Sequence, residues 1–166
     1  MDKPAQPVHP LEFRQAMRNW TTGVTVVTVN HLGFQHGMTV NSFTSISLTP
    51  ATVLISLERD ARTHDMLIES GNFGVTILTS GQQAISERFA GELTEFENRF
   101  EGLDTFTLVT GVPFLEGGLA FFDCRVIKTH GLATNTLFLG EVLAVREGAA
   151  GSPLLYYNRQ YQRLQD

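Results

Sequence analysis

The sequence predicts a mainly β protein, a barrel with short helices at its rim. Short β-branched runs recur along the chain, separated by Gly, Pro and Asn punctuation. Six or seven such segments stand against only three with helical spacing. The helical segments do not alternate regularly with the strands, so the repeating βαβ pattern of a parallel sheet is missing.

Residues 1–10 carry three prolines and read as an extended lead-in. Over 11–20, Phe13, Ala16, Met17 and Trp20 recur at helical spacing among Glu12, Arg14, Gln15 and Arg18, which predicts one amphipathic helix. After Gly23, the run Val24-Thr25-Val26-Val27-Thr28-Val29 is a strand by propensity. Asn30-His31-Leu32-Gly33 reads as a hairpin connection into a second strand over 34–40. A third strand over 52–57 follows Pro50 and is apolar on both faces, which predicts a central position.

Thr63 is expected to cap a short helix over 64–70, closed by Gly71-Asn72 before a strand over 73–78. Ser80-Gly81-Gln82-Gln83 fits a capping box, opening a helix that runs through Phe89 and closes at Gly91. Residues 92–118 are expected to be irregular, with turn signals at Gly102, Gly111 and Gly117. Two long strands over 119–129 and 136–146, then a short one over 154–157, complete the chain.

The 166 residues suit one domain spanning 1–166. Disorder is excluded by 42% hydrophobic against 17% charged residues. Net charge is −5 with no basic run, which excludes the electrostatic footprint of a dedicated nucleic-acid binder. Cys124 is the only cysteine, so neither an intrachain disulfide nor a thiolate zinc cluster is available. It sits in the alternating run Phe121-Phe122-Asp123-Cys124-Arg125-Val126, where a small core residue is expected rather than a nucleophile. No apolar stretch approaches the roughly 20 residues that span a bilayer. The N-terminus lacks the order of a signal peptide, and the expected location is the cytoplasm.

Catalytic signatures are missing. There is no G-x-G-x-x-G, P-loop, G-x-S-x-G or H-E-x-x-H. His9, His31, His36, His64 and His130 are scattered, and no metal site is expected from them. Glu92, Glu95 and Glu97 read as solvated surface. Any redox or transfer chemistry would therefore come from a cofactor.

Two stretches look suited to holding one. His36-Gly37-Met38-Thr39-Val40-Asn41-Ser42-Phe43-Thr44-Ser45-Ile46-Ser47 ends a strand and concentrates hydroxyl and amide groups where a loop is expected. It is either a self-bonded turn or a rim facing the polar edge of a heterocycle. In Ser56-Leu57-Glu58-Arg59-Asp60-Ala61-Arg62-Thr63-His64, a strand end passes through two arginines to a helix start. Unpaired N–H groups and the helix dipole favour a phosphate there, with Arg59 or Arg62 adding a charge-assisted bond. The bland alternative is an ordinary capped helix.

The segment Gly37 through Ser47, with Pro50 and the strand ending at Leu57, resembles the signature of the flavin reductase-like, FMN-binding split-barrel family. Phe89-Ala90-Gly91, Glu97-Asn98-Arg99-Phe100, Gly111-Val112-Pro113, Leu154-Leu155-Tyr156-Tyr157 and Tyr161 follow in the matching order. The closest likeness is to the small reductase component of two-component flavin monooxygenases, of the styrene or 4-hydroxyphenylacetate type. The resemblance implies a homodimeric six-stranded split barrel with the flavin in a groove near the subunit boundary. Hydride would pass from NADH or NADPH to FMN or FAD, and the reduced flavin would supply a partner monooxygenase.

By position, the resemblance places Thr39, Val40, Asn41 and Ser42 at the isoalloxazine edge and Ser56 and Leu57 beside the ring and ribityl chain. Arg62 and Thr63 would hold phosphate, and Phe89, Ala90 and Gly91 would wall the pocket. No protein residue is expected to react itself. One departure stands out: family members often carry a histidine before the second long strand, near the nicotinamide site, and Asn135 occupies that position here. Asn can hydrogen-bond but cannot carry a proton or charge. A non-catalytic flavin-binding barrel, for storage, sensing or electron relay, is therefore the alternative.

Overall fold

The computed structural model describes residues 6–92, 98–148 and 150–164; residues 1–5 of the expected lead-in and Glu95 and Glu97 of the acidic cluster lie outside them, as does the Glu92 side chain. With 47% of the chain in strands against 17% in helices, the protein is mainly β.

Helix α1 (Pro10–Met17) begins on proline, whose missing N–H is no loss in a first turn. It stops short of the predicted end, because the Trp20 N–H closes a tight turn onto the Met17 carbonyl at 3.1 Å. Its apolar side chains Leu11, Phe13 and Met17, and Trp20 beyond it, are all exposed. The amphipathic pattern is real, but nothing in this chain covers the apolar side.

After the two-residue β1 (Thr22–Gly23), β2 (Thr25–His31) and β3 (Phe34–Val40) form the predicted hairpin. Leu32 and Gly33 both hold positive φ, as a two-residue turn between twisted strands requires. The next element corrects the sequence reading: the hydroxyl-rich stretch taken for a loop contains β4 (Thr44–Leu48), paired with β5 (Ala51–Glu58). An edge strand with mostly exposed side chains needs no apolar alternation, so its pattern signal is absent.

Helix α2 (Arg62–Ser70) ends on Gly71 at φ 69°, and β6 (Asn72–Ile77) follows. The capping expectation for Thr63 is not met. Ala61 is the N-cap, with no side-chain cap bond, and Thr63 lies inside the first turn, buried. Helix α3 (Gln83–Glu87) runs into a π-turn, Arg88–Glu92, where Gly91 takes φ 99°. The expected Ser80–Gln83 box does not form either. Gln82 is the N-cap, and its side-chain oxygen accepts the Thr79 N–H at 3.0 Å. The segment over 98–118 is irregular apart from the two-residue pair β7 (Thr105–Phe106) and β8 (Phe114–Leu115). The long strands are β9 (Ala120–Gly131) and β10 (Asn135–Glu147). The chain ends in a hairpin of β11 (Leu155–Tyr157) and β12 (Gln160–Gln162), the second of which has no apolar run to announce it.

The main sheet has the order β3-β2-β6-β9-β10-β5-β4, with every neighbour antiparallel. β5 is interior, as its two-sided apolar pattern predicts. Val27 and Val29 of β2 share one buried cluster with Val53, Ile55 and Leu57 of β5, although three strands separate them in the sheet. The sheet therefore curls around a single core. Helix α2 packs on β2, β3 and β5 and sets Leu67 into that cluster, so it spans the gap between the sheet's two ends. This is the split-barrel architecture, carrying seven strands because β4 extends one edge. A second cluster, with Val24, Val26, Phe89 and Leu154, ties α3 and the terminal hairpin to the other face of β2. Among the described residues no helix is long and apolar enough to cross a membrane.

Candidate functional site

The site lies where the end of β3, the start of α2 and the α3 π-turn converge. Two cavities meet there. One, of about 140 Å³, is lined by His36, Thr39, Thr63, Ala90, Gly91 and Arg99. The other, of about 240 Å³, is lined by Thr39, Val40, Asn41, Ser86, Ala90, Tyr156 and Tyr161. Thr39 and Ala90 belong to both, so the two form one path along β3.

The smaller cavity is built for an anion. It opens on the N-terminus of α2, whose first N–H groups have no intrahelical acceptor and whose dipole favours negative charge. His36 Nδ1 lies 2.8 Å from Thr63 Oγ1, which joins β3 to the helix start. Burial, then the nearby Arg99 and Arg62, push the His36 imidazole down to about 4, so it is neutral at pH 7. Burial and Arg62 also lower the Arg99 guanidinium. Two cations close enough to act on each other are arranged as a phosphate would require. Arg99 Nη1 donates to the carbonyls of Gly37 at 2.9 Å and Phe89 at 3.2 Å, pinning both walls to one charged group.

The choice left open between the two arginines is settled by position. The Arg59 guanidinium lies against Gly131 in the β9–β10 connection, whereas Arg62 acts on both His36 and Arg99.

The larger cavity is lined by hydroxyl, amide and aromatic groups. Thr39 Oγ1 donates to the Ser86 carbonyl at 2.6 Å, so its hydroxyl can only accept from a ligand. Ser86 Oγ lies 2.8 Å from the Tyr161 hydroxyl, and Tyr156 packs on Tyr161 edge to face. The terminal hairpin thus forms one wall. Ser42 Oγ donates to the Ser56 carbonyl and accepts the Ser56 N–H, both at 3.0 Å. That bridge fixes the 41–43 turn on β5 and occupies the Ser42 hydroxyl, leaving its backbone to face outward.

Of the residues singled out from the sequence, Thr39, Val40, Asn41, Thr63, Phe89, Ala90 and Gly91 line these cavities. Arg62 stands beside them, and Ser42 and Ser56 bound the adjoining turn. The Leu57 side chain is fully buried in the core, so only its backbone could meet a ligand. Asn135 opens β10 opposite Glu58, on the sheet face that Ser56 shares two rungs away. Its amide oxygen accepts the Thr134 hydroxyl at 2.8 Å.

Sequence reasoning did not assign roles to Arg99, His36, Ser86 or Tyr161. Arg99 and Tyr161 fell in stretches noted only as weak likenesses. Cys124 is buried, and burial with Asp123 beside it pushes the thiol up to about 12, which fits a core residue.

The buried imidazole makes a stability prediction. Folded His36 binds fewer protons than unfolded chain between about pH 4 and 6.5, so stability present above 6.5 is lost as pH falls through that window. His36→Gln is expected to flatten the acid side of the melting-temperature profile of flavin-free protein. Parallel profiles for parent and variant would show that His36 is not desolvated.

Comparison with known proteins places this architecture. The flavin reductase like domain matches residues 17–165. The NADH-dependent flavin reductase StyB of Pseudomonas fluorescens is 38% identical over 156 residues, covering 90% of this chain and 86% of the relative. The NADH:FAD oxidoreductase SgcE6 of Streptomyces globisporus C-1027 superposes with a TM-score of 0.90 at 32% identity, over 99% of this chain and 100% of that one. The styrene monooxygenase flavin reductase of Pseudomonas putida S12 gives a TM-score of 0.82 at 36% identity, over 92% and 97%. With the domain matched across nearly its whole length, the chain belongs to the flavin reductase family of split-barrel proteins.

Proposed function

We propose that this chain is an NADH-dependent flavin reductase that takes FMN or FAD and delivers the reduced flavin to a flavin-using monooxygenase. The observation that carries it is the continuous path from the anion pocket at Arg62, Thr63 and Arg99 to the hydroxyl and amide wall at Thr39 and Asn41. An anion at one end and a polar heterocycle at the other is the chemistry of a flavin phosphate and ring. Relatives named for NADH-dependent flavin reduction and for styrene monooxygenase support the reaction and the kind of partner.

The flavin, when bound, supplies the redox chemistry, accepting hydride from the nicotinamide. The protein's part is to bind and orient. Arg62, Arg99 and the α2 N-terminus hold the phosphate, with Thr63 kept in place by His36. Thr39, Val40, Asn41 and the Ser42 backbone meet the ring edge; Ser56 and the Leu57 backbone flank it. Phe89, Ala90 and Gly91 wall the pocket. The exposed apolar side of α1, with Ile46 and Leu48 on edge strand β4, supports a homodimer, which light scattering would report as twice the 18.4 kDa chain mass. The lone buried Cys124 suits the cytoplasm.

Anaerobic mixing of the protein with flavin and NADH tests the reading directly. Bleaching of the oxidised flavin absorbance is expected. Stable binding without bleaching would favour a flavin carrier instead.

Asn135 is proposed to border the nicotinamide site, on the strength of its position beside Ser56. Asn135→Ala is expected to raise the NADH KM about fivefold, the worth of one modest hydrogen bond, without changing flavin affinity. Asn135→His is expected to preserve or raise turnover. Parent-like kinetics in both variants would remove Asn135 from the site.

A further inference from the structure

Arg14 and Arg18 stand four residues apart, so they project from the same side of α1 and its C-cap. The Asn158 N–H donates to the Arg18 carbonyl at 3.0 Å, seating the β11–β12 turn against the helix end. Arg14, Arg18 and Arg159 thereby line one cleft of about 230 Å³ together with Trp20, Asn41 and Tyr156. The chain is acidic, with 12 basic against 17 acidic side chains, so three cations in one cleft are a marked local excess. Among the described residues none of the three pairs with a carboxylate. Arg18 Nε is buried with no hydrogen-bond partner. A buried guanidinium N–H is costly without an acceptor, which an entering anion would supply.

The turn adds an independent sign. Asn158 and Arg159 hold φ of 48° and 62°. A two-residue hairpin of this kind favours Asn-Gly, and this one keeps the Asn but places an arginine where glycine is preferred. A long charged side chain held in a conformation it rarely adopts marks a local preference overridden at a working position.

The position of the cleft indicates which anion. Asn41 and Tyr156 line both it and the larger cavity, while the Arg62–Arg99 pocket meets that cavity at its other end through Thr39 and Ala90. The three arginines therefore lie on the opposite side from the proposed flavin phosphate. Two flat side chains, Trp20 and Tyr156, beside three guanidinium groups suit an adenine with its attached phosphates. We infer that this cleft binds the adenosine diphosphate half of a dinucleotide, and that the dinucleotide is NADH. The assignment to NADH rests on the reductase reading; the recognition of adenosine diphosphate does not.

The test begins with ADP titrated calorimetrically into full-length, flavin-free protein. The parent is expected to bind it, and Arg18→Gln and Arg159→Gly each to weaken it by roughly tenfold, the worth of one charge-assisted bond. Arg159→Gly is also expected to melt at or above the parent temperature, since glycine suits the turn, which separates lost binding from lost fold. In steady state the same variants should raise the KM for NADH but not for reduced nicotinamide mononucleotide, and leave the FMN Kd unchanged. Weakened FAD binding with unchanged NADH kinetics would overturn the choice of NADH. ADP that fails to bind the parent, or binds parent and variants equally, overturns the subsite. If ADP binds through these arginines but flavin is never reduced, the subsite stands and the reductase reading falls.

Discussion

Replacing Arg62 and Arg99 together by alanine is expected to weaken FMN binding by on the order of a hundredfold or more, because each charged hydrogen bond to phosphate is worth about 1.5–3 kcal/mol. The two guanidinium groups are near enough for Arg62 to depress Arg99, and both bear on His36. That mutual repulsion is relieved when a phosphate enters, so the pair acts as a unit and the double change should not equal the sum of the singles. Riboflavin, which has no phosphate, is the control and should lose far less. Arg99 also holds the carbonyls of Gly37 and Phe89, so Arg99→Ala removes a strut as well as a charge. Arg99→Lys keeps the charge but not the fork, and is expected to fall between parent and alanine. Fluorescence titrations with FMN and riboflavin decide the matter. Equal losses for both ligands would mean that these arginines act through the fold rather than on phosphate.

Gly37→Ala is expected to damage stability and flavin affinity together. A Cβ at this position would meet Phe89 Cε1 at 2.9 Å and the Val27 carbonyl oxygen at 3.0 Å. The Phe89 ring is fully buried and packs edge to face on Phe100 at 5.2 Å, so it cannot yield without moving the π-turn that carries Ala90 and Gly91. Overpacking of this kind costs about 1–3 kcal/mol, and each kcal/mol lowers the melting temperature of a chain this long by roughly 2–4 °C. Since the same π-turn walls the pocket, FMN affinity should fall in parallel. Phe89→Leu in the Gly37→Ala background is expected to recover part of both losses, although alone it would leave a cavity. A Gly37→Ala protein that melts and binds like the parent would show that the ring and the strand are not in the contact described.

The close approach at Gly37 explains part of what could be read without coordinates. Glycine followed by Met38-Thr39-Val40-Asn41-Ser42 is a dense local pattern, because a strand that must pass a buried ring and then turn has few ways to be written. The same holds for the β2–β3 hairpin and the two long strands, where propensity and turn chemistry agree within a few residues. Capping was less legible. Thr63 and Ser80 had the right type and spacing for caps, but one is placed beside His36 and the other is bypassed by Gln82. A side chain with two available partners is decided by what the fold brings near it, not by its neighbours in sequence.

Local periodicity and residue type were sufficient for the strand-rich architecture, the core face of β2 and β5, and the general location of an anion-binding helix start, because each depends on contacts within one element or one hairpin. Edge strand β4, exposed on most of its residues, left no such trace. Nor did the cluster of His36, Arg62 and Arg99, which stand 26 and 37 residues apart and meet only because the sheet curls until α2 closes its gap. Their charges and the lowered imidazole are properties of that closure: desolvation and Coulomb interaction act over a few ångströms of space, and the order of residues along a chain does not record which of them will be that close.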